Sequence, residues 1–187
     1  MINRRVNTMS SCAKRIELIN TLRKLWSEHT MWTRSFIIST AADLGDLQYV
    51  TQRLLRNPKD FAAVLRGYYG FDKANRFEQL LTEHLTIAAG FVNEAKAGDT
   101  PAANESRKNW YRNADEIAEF LASINPFWSR RMWQAMLHEH LKITEEEAVL
   151  RLTGQYSADV ALYDEIEAQG LEMADFMAEG IINQFNL

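Results

Sequence analysis

From Leu18 onward, apolar and aromatic residues recur at Leu22, Leu25, Trp32 and Phe36, in steps of three and four. That is the stripe of an amphipathic helix rather than the alternation of a strand. The pattern predicts a helix over Ser11–Ala42, ended by Asp43-Leu-Gly45-Asp46. Two shorter helices follow, Leu47–Arg56 and Pro58–Tyr69, with Asn57 as cap and Pro58 at the first helical position, where its missing N–H is harmless. A long helix spans Phe71–Lys96. Gly98 ends it, and Thr100-Pro101 opens the next, which runs to Ile124. Asn125-Pro126 breaks the chain before a helix from Phe127. The run Thr144-Glu-Glu-Glu147 reads as a capping box, which predicts a bend or break there. A last helix covers Tyr156–Phe185, with Val160, Tyr163, Glu167, Gly170, Ala174 and Met177 on its inner stripe. The class is all-α: an up-and-down bundle of four to five long helices in a single domain, 1–187.

The chain also repeats itself. Residues 57–87 align without gaps on 113–143, and nine of the 31 pairs are identical, among them Asn57/Asn113, Leu81/Leu137, Glu83/Glu139 and His84/His140. Each copy reads as a helical hairpin. Glu28-His29 lies 55 residues before Glu83-His84 and looks like a third, more degraded echo. A duplicated hairpin packed into one bundle accounts for this better than a solenoid, which needs more and shorter repeats.

Composition narrows the class further. Eight glycines and three prolines total 11 of 187 residues, about half the usual share. Turns are too scarce for a many-stranded sandwich or barrel. The formal net charge of -4 gives no basic face for nucleic acid. A single cysteine, Cys12, excludes an internal disulfide framework and suits a reducing compartment. Met1–Asn20 carries Arg4, Arg5, Lys14 and Arg15 but no apolar block, so it does not read as a secretory signal. No apolar run is long enough for a membrane span. A soluble cytoplasmic protein is expected. Phosphate-cradling glycine loops and serine hydrolase motifs are absent.

Candidate chemistry rests on the histidines. Three of the four follow a glutamate: Glu28-His29, Glu83-His84 and Glu139-His140. His29, His84 and His140 each fall on the apolar stripe of their helix, whereas His138 falls on a solvated face. Three buried imidazoles need partners, and one metal ion would serve all three. The adjacent glutamates sit on the flanks, where they can orient a histidine or act as ligands. Glu167 is the preferred further ligand from the last helix. Glu147 lies two turns beyond His140, about 11 Å along the axis. The expected site is therefore His29, His84 and His140 with Glu28, Glu83, Glu139 and Glu167, holding iron, zinc or manganese. The spacing is not the Glu-x-x-His of di-iron bundles. The competing reading makes the Glu-His pairs buried hydrogen-bond networks of a metal-free scaffold that forms a homodimer through its aromatic surface. The five tryptophans are assigned to packing.

Trp26-Ser-Glu-His-Thr-Met-Trp32 and the block Phe127-Trp-Ser-Arg-Arg-Met-Trp133 with His138-Glu-His-Leu141 resemble the Bacillus metalloprotein-like family of bacterial helical bundles. The likeness is best over 113–187. It implies an up-and-down, often duplicated bundle with a transition metal between helices, and supports His84 and His140 with Glu83 and Glu139. Glu147 sits where that family's later acid falls. The resemblance implies a site and no particular reaction. If the site is catalytic, metal-assisted hydrolysis or oxygen chemistry is the class to expect.

Overall fold

The computed structural model describes residues 2–187, with side chains from Ser11 onward. The side chains of Arg4 and Arg5 lie outside that set. The described chain is a bundle of α-helices: α1 (Ile2–Ala41), α2 (Leu47–Leu54), α3 (Asn57–Ala97), α4 (Thr100–Ile124), α5 (Arg130–Leu152) and α6 (Tyr156–Phe185). No strand occurs among the described residues. Five of the helices are long, and α2 has only eight residues.

The helix ends follow the punctuation of the sequence. Gly70 interrupts α3 with φ 78° and ψ 179°, a conformation that costs a glycine little and a side chain much. It splits α3 into 57–69 and 71–97. Gly98 closes α3 in the left-handed region, and the Asp99 carboxylate caps α4 by accepting from the Ala102 N–H at 3.1 Å. Ser129 caps α5 in the same way through the Met132 N–H.

Two local expectations fail. First, α5 begins at Arg130 rather than Phe127 and runs unbroken through Thr144 to Leu152. Thr144 and Glu147 face the core, with 4% and 1% of their surface exposed, so neither is free to cap a helix. Second, Asn57 is no cap. It is fully buried and its side chain reaches across to α1.

The repeat becomes three hairpins. The first is α1 with α2 and residues 57–69, the second is residues 71–97 with α4, and the third is α5 with α6. At the offset of 56, residues 47–69 correspond to 103–125, so α2 and the start of α3 together play the part of α4, interrupted at Leu55-Arg56. α6 packs back on α1 and closes the bundle. One continuous apolar core receives side chains from all six helices, including Leu22, Val50, Phe61, Trp110, Trp133 and Met173. Two glycines allow close packing there. A Cβ on Gly170 would stand 3.1 Å from the Thr30 methyl, so α6 lies tight against α1. A Cβ on Gly180 would overlap the Trp128 indole, which packs against that glycine and donates to the Phe176 carbonyl at 3.3 Å.

Candidate functional site

His29 on α1, His84 on α3 and His140 on α5 are each at least 97% buried and occupy one region of the core. The ring centres of His29 and His140 are 5.4 Å apart, and those of His29 and His84 are 6.5 Å apart.

Each histidine is held in the same way. His29 Nδ1–H donates to Asn57 Oδ1 at 3.1 Å, while the Asn57 amide donates to the Leu25 carbonyl at 2.9 Å. His84 Nδ1–H donates to Asn113 Oδ1 at 2.9 Å, and Asn113 donates to the Leu80 carbonyl at 3.1 Å. His140 Nδ1–H donates to Gln169 Oε1 at 3.1 Å, and Gln169 donates to the Met136 carbonyl at 2.9 Å. The three amides stand at 57, 113 and 169, two steps of 56. Each carbonyl belongs to the residue four before its histidine. One device therefore occurs three times, with glutamine in the third copy.

This arrangement settles the protonation pattern. A carbonyl accepts only from the NH2 end of an amide, so the amide oxygen must face the imidazole. The proton then sits on Nδ1, and Nε2 keeps its lone pair. Burial, with no anion beside the rings, pushes His29 down to about 4 and His84 to about 3, and holds His140 well below its ordinary value. The histidines also disfavour one another's charge. All three are neutral at pH 7.

Indoles surround the triad. Trp110 Nε1–H donates to His84 Nε2 at 3.1 Å, so that lone pair is already engaged. The Trp26 ring is 5.5 Å from His29 and 6.3 Å from His140, and its own N–H is buried without a partner.

The glutamates do not join the triad. Glu83 and Glu139 are exposed, and Glu139 pairs with Lys142 at 3.1 Å. Glu28 is half-buried and bridges Arg53 at 3.0 Å and Lys24 at 3.8 Å. Glu167 is exposed, and it is Gln169 that reaches the core from α6. The inner stripe of α6 before Gly170 is Asp159, Leu162 and Ile166, one register away from the expected one, and Val160 is 58% exposed. Val160-Ala-Leu-Tyr163 supplies apolar residues to both faces, so periodicity cannot choose between them.

A second polar cluster was not anticipated. Arg34 lies between two carboxylates that are each 1% exposed. It is in close contact with Glu147 and binds Asp159 at 2.7 and 3.2 Å. Arg151 approaches Asp159 at 3.4 Å, and the Tyr163 ring faces Arg34 at 4.9 Å. Burial pushes Glu147 up to about 7, against the pull of Arg34. The cluster joins α1, α5 and α6.

The triad can be tested against a metal on its donor set. Two imidazoles on one tetrahedral ion at ordinary metal–nitrogen distances place their ring centres about 5 Å apart. The His29–His140 separation of 5.4 Å suits this, and the 6.5 Å to His84 is wider. Nδ1–H bonded outward with Nε2 bare is the form in which metal-ligating histidines are held. Two features stand against it: the Trp110 N–H on His84, and the lack of a carboxylate among the three rings. Among the described residues no three histidine, cysteine or acidic side chains form a ready-made metal cluster.

The chain matches no family model, no curated protein and no solved structure. The residues that hold the triad were missed in the sequence reading, although the Asn57/Asn113 identity at the repeat offset pointed to them. Carrying that offset once more reaches Gln169.

Proposed function

We propose that the protein is a metal-binding helical bundle whose ligands are the Nε2 atoms of His29, His84 and His140. The supporting observation is the threefold amide device. It fixes the tautomer that leaves three lone pairs in one buried region, and it does so at the same step of every repeat. The resemblance to Bacillus metalloprotein-like proteins points the same way. An all-imidazole set suits zinc, and then iron, better than manganese, which prefers oxygen ligands. Bound there, the ion would supply Lewis acidity at any coordination position the protein leaves open. Asn57, Asn113 and Gln169 would hold the imidazoles in orientation, and Trp110 would have to yield His84.

A metal-free reading is favoured by one observation, the Trp110 N–H on His84 Nε2. On that reading the triad is a polar network that fixes helix register, and Trp110 belongs to it.

Elemental analysis of untagged protein before and after EDTA tests the first reading. About one equivalent of zinc or iron is expected, lost together with thermal stability in the His84→Gln/His140→Gln variant. Trp110→Phe separates the two readings. It removes a competitor for the lone pair, so zinc should bind about tenfold more tightly. If zinc affinity is undetectable in both proteins and chelator leaves melting unchanged, the metal reading is wrong.

A further inference from the structure

The end of the bundle away from the α1–α2 turn is built from the Gly70 break, the 125–129 turn and the close of α6. Tyr69 ties the three together. Its hydroxyl accepts from the Asn125 amide at 2.9 Å and donates to the Gln184 carbonyl at 3.0 Å. Phe71 and Phe127 flank this knot. Phe71 is the first residue after the break, and the Phe127 N–H donates to the Asn125 side chain at 2.8 Å. The two phenylalanines are an identical pair at the repeat offset of 56. The leucines and alanines that the two copies share are buried in both, yet Phe71 is 66% exposed and Phe127 is 52% exposed. Met132, just beyond Phe127, is 49% exposed.

Cations accompany the exposed rings. The Arg66 guanidinium lies over Phe71 at 4.7 Å. Lys73 and Arg76 follow in the first turns after the break, Arg130 and Arg131 open α5, and all five are exposed. Residues 66–76 and 126–132 hold these five cations against one acid, Asp72. On the adjoining helix ends Glu17, Glu78, Glu119 and Glu179 are set against Lys14 and Arg15, and Glu119 meets Arg130 at 3.8 Å. An excess of cations remains. The whole chain carries 21 basic and 25 acidic residues, so this end is positive on a negative molecule.

We propose that this end docks on an anionic lipid bilayer, with Phe71 and Phe127 entering the boundary between headgroups and acyl chains and the cations lying among the lipid phosphates. Exposed apolar side chains with basic neighbours are the pattern of a peripheral membrane contact, and Lys and Arg are drawn to a negative lipid surface. Charge favours this occupant over a second copy, whose like-charged end would be repelled. Two rings carried on helix starts suit a fluid layer that closes around them. No helix among the described residues is long and apolar enough to cross a membrane, so the contact is peripheral. It does not require an ion in the core.

Co-sedimentation of the full chain with vesicles tests this, using phosphatidylcholine alone and phosphatidylcholine mixed with phosphatidylserine. Binding to the mixed vesicles should be about tenfold tighter or more, and weakened by salt. Phe71→Ser/Phe127→Ser should lower that affinity at least about tenfold, and Arg130→Gln/Arg131→Gln should also lower it about tenfold. All four side chains are exposed, so both variants should fold, which circular dichroism checks. Wild-type protein that ignores the mixed vesicles overturns the proposal. So does binding that either folded variant retains in full. A dimer in sedimentation equilibrium that the phenylalanine variant dissolves, without vesicle binding, overturns it in favour of a second copy.

Discussion

Acid should unfold this bundle unusually early, and the metal-free protein is the form in which to measure it. The three histidines have an ordinary value of 6.5, to which they return in the unfolded chain. In the fold His29 lies near 4, His84 near 3, and His140 well below 6.5. Their stabilisation is complete above pH 6.5 and is lost as the pH falls toward the folded values, because only the unfolded state takes up the protons. Glu147 works in the opposite direction. Its folded value near 7 lies above the 4.5 of the unfolded chain, so between these it is the folded state that holds a proton. From pH 6.5 to 4.5 the unfolded chain therefore binds about three protons on histidine against one on native Glu147, a net of two. Each proton changes stability by about 1.4 kcal/mol per pH unit. The expected loss is about 2.7 kcal/mol per unit, or about 5 kcal/mol across the interval, comparable with the whole stability of many domains. Urea unfolding followed by far-ultraviolet circular dichroism, in EDTA at several pH values between about 7 and 5, reads this slope. Glu147→Gln should steepen it to about 4 kcal/mol per unit, and His84→Gln should reduce it to about 1.4. A stability that stays level or rises on acidification would refute the assignment of three buried neutral imidazoles.

Other substitutions test single parts of the structure. Asn113→Ala leaves His84 Nδ1–H and the Leu80 carbonyl buried without their partner and should cost about 2–4 kcal/mol in urea unfolding. Arg34→Met leaves Glu147 and Asp159 without their shared cation and should cost about 3–5 kcal/mol at pH 7, less at pH 5, where Glu147 is protonated. Gly180→Ala must displace the Trp128 indole, and a lower melting temperature with a shifted tryptophan emission is expected.

The helical class and most helix bounds were legible because period 3.6 and the Gly, Pro and Asn breaks act locally. Gly70, Gly98 and Asn125-Pro126 end helices for reasons of backbone conformation that a single residue carries. The burial of the three histidines followed from the same periodicity. What escaped depended on partners distant in sequence. Glu147 reads as the end of a capping box, yet Arg34, 113 residues away, draws it into the core. Gln169 reads as a surface residue next to Glu167, but Met136 and His140 turn it inward. A charged glutamate beside a histidine suggests a ligand, whereas here the neutral amides make the contacts. An amide can both accept from an imidazole and donate to a carbonyl, and a carboxylate cannot.

The spacing of the amide contacts also bears on the order in which the chain folds. Each histidine meets its amide 28 or 29 residues away, within its own hairpin. The Arg23–Asp175 and Arg34–Asp159 pairs, which tie α1 to α6, span 152 and 125 residues. Closing a short loop costs less chain entropy than closing a long one, and local contacts speed folding. Three hairpins can therefore set their own register independently, each checked by a hydrogen bond that forms only when the helices are correctly aligned. The seam between α1 and α6 is left as the late event. Substitutions at Asn113 should slow folding, whereas those at Asp175 should mainly hasten unfolding.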